Sequence, residues 1–209
     1  MNTKGNSNDR KTLLNLISLV SKDGEEVVGL LFSRFGGLRE ILEADFYSLS
    51  DALGRQDKLA SYIRLAVGLV SRSVTDKFKF GKKHTDEEIA EYLKSLFLGS
   101  SVETVYIMSL DKEGKILACD YAGEGTVNFS SVFPRKFLEI ALKRKASSII
   151  IAHNHPGGYA KPSVEDEEST KALSNLFLAS GIDLVAHYVV AGLEAFRIDG
   201  KSIRERNIK

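Results

Sequence analysis

The chain has 209 residues, 43% of them apolar and 27% charged, with a formal net charge of +1. That length suits one large domain or a medium and a small one, and the near-neutral balance gives no global electrostatic case for nucleic acid. The single cysteine, Cys119, excludes an intramolecular disulfide. No apolar run approaches the roughly 18 residues of a membrane span. The polar N-terminus also lacks a signal-peptide core, so no membrane partner and a cytoplasmic location are expected.

In chain order, residues 1–10 are expected to form a disordered tail. Residues 11–74 carry helical periodicity: Leu13, Leu14, Ile17 and Val20; then Val27, Val28, Leu30, Leu31 and Phe35, closed by Gly36-Gly37; then a short run of Leu38, Ile41 and Leu42; then Leu59, Ile63, Ala66, Val67 and Val70. A small helical bundle is predicted there. Residues 75–85 are polar and basic and read as a linker.

From residue 86 the pattern alternates between helix and strand. Helices are predicted over 87–97, 134–145 and 163–180, the last closed by Gly181. Strands are predicted over 103–110, 115–121, 147–153, 184–190 and 194–198. Asp111 to Gly114 turns the first two into a hairpin. Cys119 reads as a small core residue, since nothing nearby would lower its pKa. The fold class is therefore α/β (α+β), a mixed sheet flanked by helices and preceded by a small helical bundle.

One run carries chemistry: His153-Asn-His155-Pro-Gly-Gly-Tyr-Ala-Lys-Pro-Ser163-Val-Glu-Asp166, directly after the apolar stretch Ser147 to Ala152. Residues two apart on a strand share a face, so His153 and His155 converge if the extension lasts to His155. Pro156 favours that extension. Asp166 falls in the first turn of the next helix and can swing back toward the strand end. Two imidazoles and one carboxylate make a three-ligand set for zinc with a fourth position open to water, the pattern of a catalytic site. Ser163-x-x-Asp166 also reads as a capping-box variant with Ser163 as N-cap. Asn154 alternates to the opposite face and is expected to brace the loop. Gly157 and Gly158 permit a turn closed to other residues.

The run resembles the JAMM motif of MPN-domain zinc hydrolases: His-x-His, ten residues, then Asp, with Ser three before it. Pro134-Arg-Lys-Phe137, Ala141-Leu142 and Ala146 to Gly158 resemble the RadC branch of bacterial MPN proteins, over about residues 84–209. The resemblance implies an MPN domain over 86–209, one Zn2+ per chain, and cleavage of an amide or isopeptide bond in a peptide or protein by metal-activated water. It implies His153, His155 and Asp166 as ligands, and Glu103, which opens an early strand, as general base. Glu124 is the alternative base. Ser163 would donate a hydrogen bond to the developing oxyanion.

The chain departs from the RadC pattern in three places. Gly157 stands where a serine is usual, and Ala186-His187 stands where an Asp-His pair is usual. The missing carboxylate at 186 is expected to remove a hydrogen bond from behind the ligands, with His187 a core or supporting histidine rather than a fourth ligand. Residues 11–74 resemble a helix-hairpin-helix domain, but Leu53-Gly-Arg-Gln-Asp-Lys-Leu59 replaces the Gly-hydrophobic-Gly turn that would cradle a DNA phosphate. Arg55 and Lys58 leave room for a weak, salt-sensitive DNA contact. The readings are thus a zinc metallopeptidase or isopeptidase-like hydrolase, or a DNA-repair-associated binding or scaffold protein with a non-catalytic MPN domain. A two-metal nuclease lacks a second carboxylate cluster.

Overall fold

The apolar runs of the first third fold as helices because each buries one stripe. A computed structural model describes residues 3–124 and 133–205. The chain divides into two compact units, Met1–Arg72 with Leu98–Ser101, and Ser73–Phe97 with Val102–Lys209.

The first unit holds α1 (Thr3–Ile17), α2 (Gly24–Phe35), α3 (Leu38–Glu43), α4 (Phe46–Ala52) and most of α5 (Asp57–Thr75). Leu13, Ile17, Val28, Leu31, Ile41, Leu49 and Ile63 form its core. Gly36, at φ +89°, ends α2 as its glycine pair predicts. Residues 3–10, expected as a disordered tail, instead continue α1. Part of the reason is a partner the sequence does not reveal: the Arg10 guanidinium lies 4.9 Å from the centroid of the Phe32 ring. Helix α4 was not foreseen. Asp45 caps it, accepting from the backbone N–H of Ser48 at 2.9 Å. The degenerate hairpin is a tight turn with Gly54 and Arg55 both at positive φ. Ser50 Oγ donates to Asp57 Oδ1 at 2.5 Å across it.

The second unit contains α6 (Asp86–Phe97), β1 (Thr104–Leu110), β2 (Ile116–Glu124), α7 (Phe133–Lys143), β3 (Ser148–Asn154), α8 (Val164–Ala179), β4 (Asp183–Ala191), β5 (Glu194–Asp199) and α9 (Gly200–Glu205). The five strands lie in the order β2-β1-β3-β4-β5. Only the β3–β4 pair is parallel, so the sheet is mixed, as expected of an MPN fold. Ile150, Ala152, Ala186 and Tyr188 face α6 with Leu93 and Phe97. Ile149, Ile151 and Leu184 face the other way, onto Phe137 of α7 and Leu173 and Phe177 of α8. Helix α9, unforeseen, starts where a Cβ on Gly200 would meet the Leu184 carbonyl oxygen at 1.8 Å, so the closeness of the chain there requires glycine.

The segment 75–85, expected as a linker, is part of this unit. Phe78 stacks on His84 at 4.0 Å and packs on Tyr92 at 4.2 Å, and Lys82 bridges to Ile116. Its polar composition hid an aromatic anchor. Among the described residues, no helix is long and apolar enough to cross a membrane. The start of β1, the end of β3, the end of β4 and the start of β5 lie at one end of the sheet, which is where the candidate site forms.

Candidate metal centre

The alternation of β3 decides what each residue can reach. His153 continues the face of Ile149 and Ile151 toward α8 and is fully buried. His155 lies just past the strand, yet its backbone N–H still donates to Val190 O at 2.8 Å, which prolongs the extension Pro156 favours. The chain then turns at Gly157, φ +66°. A Cβ on Gly158 would press on the His155 Cβ at 3.2 Å. The turn brings the Tyr159 carbonyl to 3.0 Å from His155 Nδ1, so that nitrogen carries a proton and donates it. His155 Nε2 then faces His153.

Helix α8 begins with a complete capping box. The Asp166 backbone N–H donates to Ser163 Oγ at 3.0 Å, and the Ser163 backbone N–H donates to Asp166 Oδ2 at 2.7 Å. Ser163 Oγ also donates to Oδ2, at 2.8 Å. One carboxylate oxygen, Oδ2, is thus anchored by the helix cap and lies toward His155, and the other, Oδ1, faces His153. The capping reading of Ser163-x-x-Asp166 holds, and the same carboxylate keeps an oxygen toward His153.

His153 Nε2 lies 3.2 Å from Asp166 Oδ1, His155 Nε2 lies 3.5 Å from Asp166 Oδ2, and the two Nε2 atoms are 2.9 Å apart. Ligands held tetrahedrally at about 2.0–2.1 Å from an ion stand about 3.3 Å from one another. The donor set therefore fits a divalent cation, and all three residues offer ligand atoms within 4.8 Å of one another. The hydrogen bond with Asp166 raises the pKa of His155; partial burial opposes it, and the Tyr159 carbonyl and the charges of Asp166 and Glu103 reinforce it. Burial alone would raise the Asp166 carboxyl, but the two imidazoles and the Ser163 backbone N–H outweigh burial and hold it well below the usual carboxylate range.

Glu103 immediately precedes β1. Since Val105 pairs with His153, Glu103 lies at the His155 end of the strand pair, and its charge is felt there. Asn154 faces away from the ligands as expected, but it does not brace its own loop. Its Oδ1 accepts from Thr104 N at 2.7 Å and Thr104 Oγ1 at 2.9 Å, and its Nδ2 donates to Val102 O at 3.1 Å. The backbone on both sides of Glu103 is thereby fastened to the strand that carries the histidines. Glu124, the alternative base, ends β2 opposite Thr104 and is exposed. The following Gly125 and Thr126 of its loop lie outside the described residues.

The expectation about position 186 is corrected by the pleat. Ala186 is buried against the α6 layer, on the opposite face from the ligands, so a carboxylate there would not point at them. His187, one residue on, does face them: its Nε2 lies 2.7 Å from His153 Nδ1. Its Nδ1 lies 2.6 Å from Thr170 Oγ1, which in turn donates to Asp166 O at 2.5 Å. Sequence reasoning missed Thr170. The available signal was its spacing, one helical turn after Asp166 on the same face. Burial and the neighbouring His153 push the His187 pKa well down. Cys119 is partly buried against Tyr92, and burial pushes its thiol up to about 12, which suits a core role.

An open cleft of about 1030 Å³ shares His155 and Ser163 with the centre and runs past Tyr159 and Lys161 to Glu194 and Phe196 of β5.

The RadC-like JAB domain family matches residues 83–203. A UPF0758 protein of Herminiimonas arsenicoxydans is 29% identical over 188 residues, covering 88% of this chain and 84% of that one. UPF0758 proteins of Shewanella woodyi and Thioalkalivibrio sulfidiphilus are 31% and 30% identical, each covering more than 80% of this chain and at least 76% of their own length. The match spans the sheet and every residue of the centre, and on it the chain belongs to the RadC-like JAB domain family of MPN-fold proteins.

Proposed function

We propose that the protein is a zinc-dependent hydrolase of amide or isopeptide bonds. The observation that carries this reading is the convergence of His153 Nε2, His155 Nε2 and Asp166 Oδ1 on one point, each oriented by a further hydrogen bond. Three N/O ligands suit Zn2+ and leave a coordination position for water. When bound, the ion would acidify that water and polarise the scissile carbonyl.

The chain's own groups do the rest. Glu103, at the rim beside His155, takes the proton of the attacking water and returns it to the leaving nitrogen. The Ser163 hydroxyl, now spent on Asp166 Oδ2, rotates to donate to the oxyanion, a contribution of a few kcal/mol. The cleft toward Phe196 has room for the polypeptide flanking the bond. The bundle's hairpin, with Arg55 and Lys58, adds at most a weak DNA contact, so a DNA-associated scaffold is the second reading.

The test is zinc content and peptide hydrolysis of wild type, His155→Ala and Glu103→Gln side by side. About one zinc per chain is expected in wild type and Glu103→Gln and none in His155→Ala, with hydrolysis only in wild type. A Glu103→Gln protein that keeps zinc and full activity overturns the base assignment. A wild type that binds no zinc after reconstitution overturns the hydrolase and leaves the scaffold.

A further inference from the structure

The ligand histidines need their metal-facing nitrogens deprotonated, and the two are secured in different ways. His155 is fixed by its own loop, through the Tyr159 carbonyl. His153 is secured from a different strand, β4. Its Nδ1 meets another imidazole, His187 Nε2, at 2.7 Å, and two imidazoles can share that contact in either sense. If His187 donates, His153 must carry its proton on Nε2, and it is then lost as a ligand.

The direction is decided one and two contacts further out. The Asp166 backbone carbonyl can only accept, so the proton of Thr170 Oγ1 points to it, at 2.5 Å. With its proton committed, Thr170 Oγ1 can only accept from His187 Nδ1, at 2.6 Å. An imidazole whose one proton sits on Nδ1 presents a lone pair at Nε2, and His153 Nδ1 donates to it. Thr170 and His187 are both 0% exposed, so no solvent reaches the chain to reverse it.

We propose that Thr170 and His187 form a positioning relay that holds His153 in the Nδ1–H tautomer and thereby turns its Nε2 lone pair to the metal. The relay starts on the backbone of one ligand, Asp166, and ends on the side chain of another. It couples the first turn of α8 to β3 through a residue of β4 with no carboxylate in the path. His187 accepts without carrying charge, so the relay sets orientation and leaves His153 a less basic ligand than a carboxylate partner would.

This rests on the metal-hydrolase reading only in that the site takes an ion; hydrolysis is not its readout. The experiment pairs Thr170→Val, which keeps shape and removes the hydroxyl, with Thr170→Ser, which restores the hydroxyl. Zinc affinity is measured by competition with a chromophoric chelator. Imidazole 15N–1H spectra of the zinc-free proteins report the His153 tautomer. The relay predicts Nδ1–H in wild type, a mixture in Thr170→Val with affinity down about 10- to 100-fold, and recovery to within about threefold in Thr170→Ser. Unchanged affinity in a folded Thr170→Val protein, or Nε2–H at His153 in wild type, overturns it. Should wild type bind no zinc, the hydrolase reading fails and the wild-type tautomer alone decides the relay. Should Thr170→Val not fold, the wild-type spectrum and Thr170→Ser decide it.

Discussion

Two helices of this protein begin on a serine–aspartate hydrogen bond, and they end up with opposite capacities. In the bundle, Ser50 donates to Asp57 at the head of α5, and Asp57 stands exposed. In the MPN domain, Ser163 donates to Asp166 Oδ2, while Oδ1 is turned inward to a buried histidine. Both carboxylates accept from a serine hydroxyl, but only Ser163 is a helix cap; Ser50 reaches Asp57 from within α4. What differs is whether a second carboxylate oxygen is delivered, dehydrated, to other ligands. A serine–aspartate contact at a helix start therefore neither announces nor excludes a metal centre. The strand that ends opposite the cap decides.

The comparison breaks most sharply at the aspartates. Asp166→Asn removes the charged ligand, so zinc content should fall below about 0.1 per chain, while Asp57→Asn keeps the wild-type content; elemental analysis of both decides. Next in size is Asn154→Ala, which frees the backbone around Glu103. Hydrolysis of a test peptide should drop about 10- to 100-fold in kcat with zinc retained, because a displaced base loses more rate than affinity. Lost zinc in that variant would instead mean that Asn154 supports the ligands.

The pH dependence sharpens the contrast further. His155 has a raised pKa, so in the ion-free protein its proton persists above the ordinary histidine range. Zinc must displace it. Affinity should rise about tenfold per pH unit below that raised pKa and level off above it; titration calorimetry in two buffers also counts the released proton. Smallest of all, Ser50→Ala should lower stability by about 1–3 kcal/mol through a lost partner for Asp57, read from denaturation midpoints, with zinc binding unaltered.

The clustering of His153, His155 and Asp166 was legible because it obeys short-range rules. His153 and His155 are two apart on a strand, and Asp166 is the third residue of a capped helix. The alternation of the mixed sheet and the glycine stop at Gly36 were readable for the same reason. The support behind the ligands was not. His187 lies 34 residues from His153 and Thr170 lies 17 from His187, and no local pattern brings them together. Ala186 was misjudged because the pleat, not the neighbouring residue, determines which side of the sheet a side chain serves. Residues 75–85 looked like a linker by average polarity, but two rings, Phe78 and His84, suffice to pin them. Residues 3–10 likewise gain an ordering contact from a cation over a distant ring.

On the proposed metal reading, the capping box of α8 would make the ion a participant in folding. Asp166 holds the first turn of the helix with one oxygen and faces the ion's place with the other, so fraying of that turn withdraws a ligand in the same motion. Release of the ion and opening of the helix start then become one event with one rate. The amide hydrogens of Glu167 and its neighbours should exchange with solvent at the pace at which the ion leaves, and slow together when it is present.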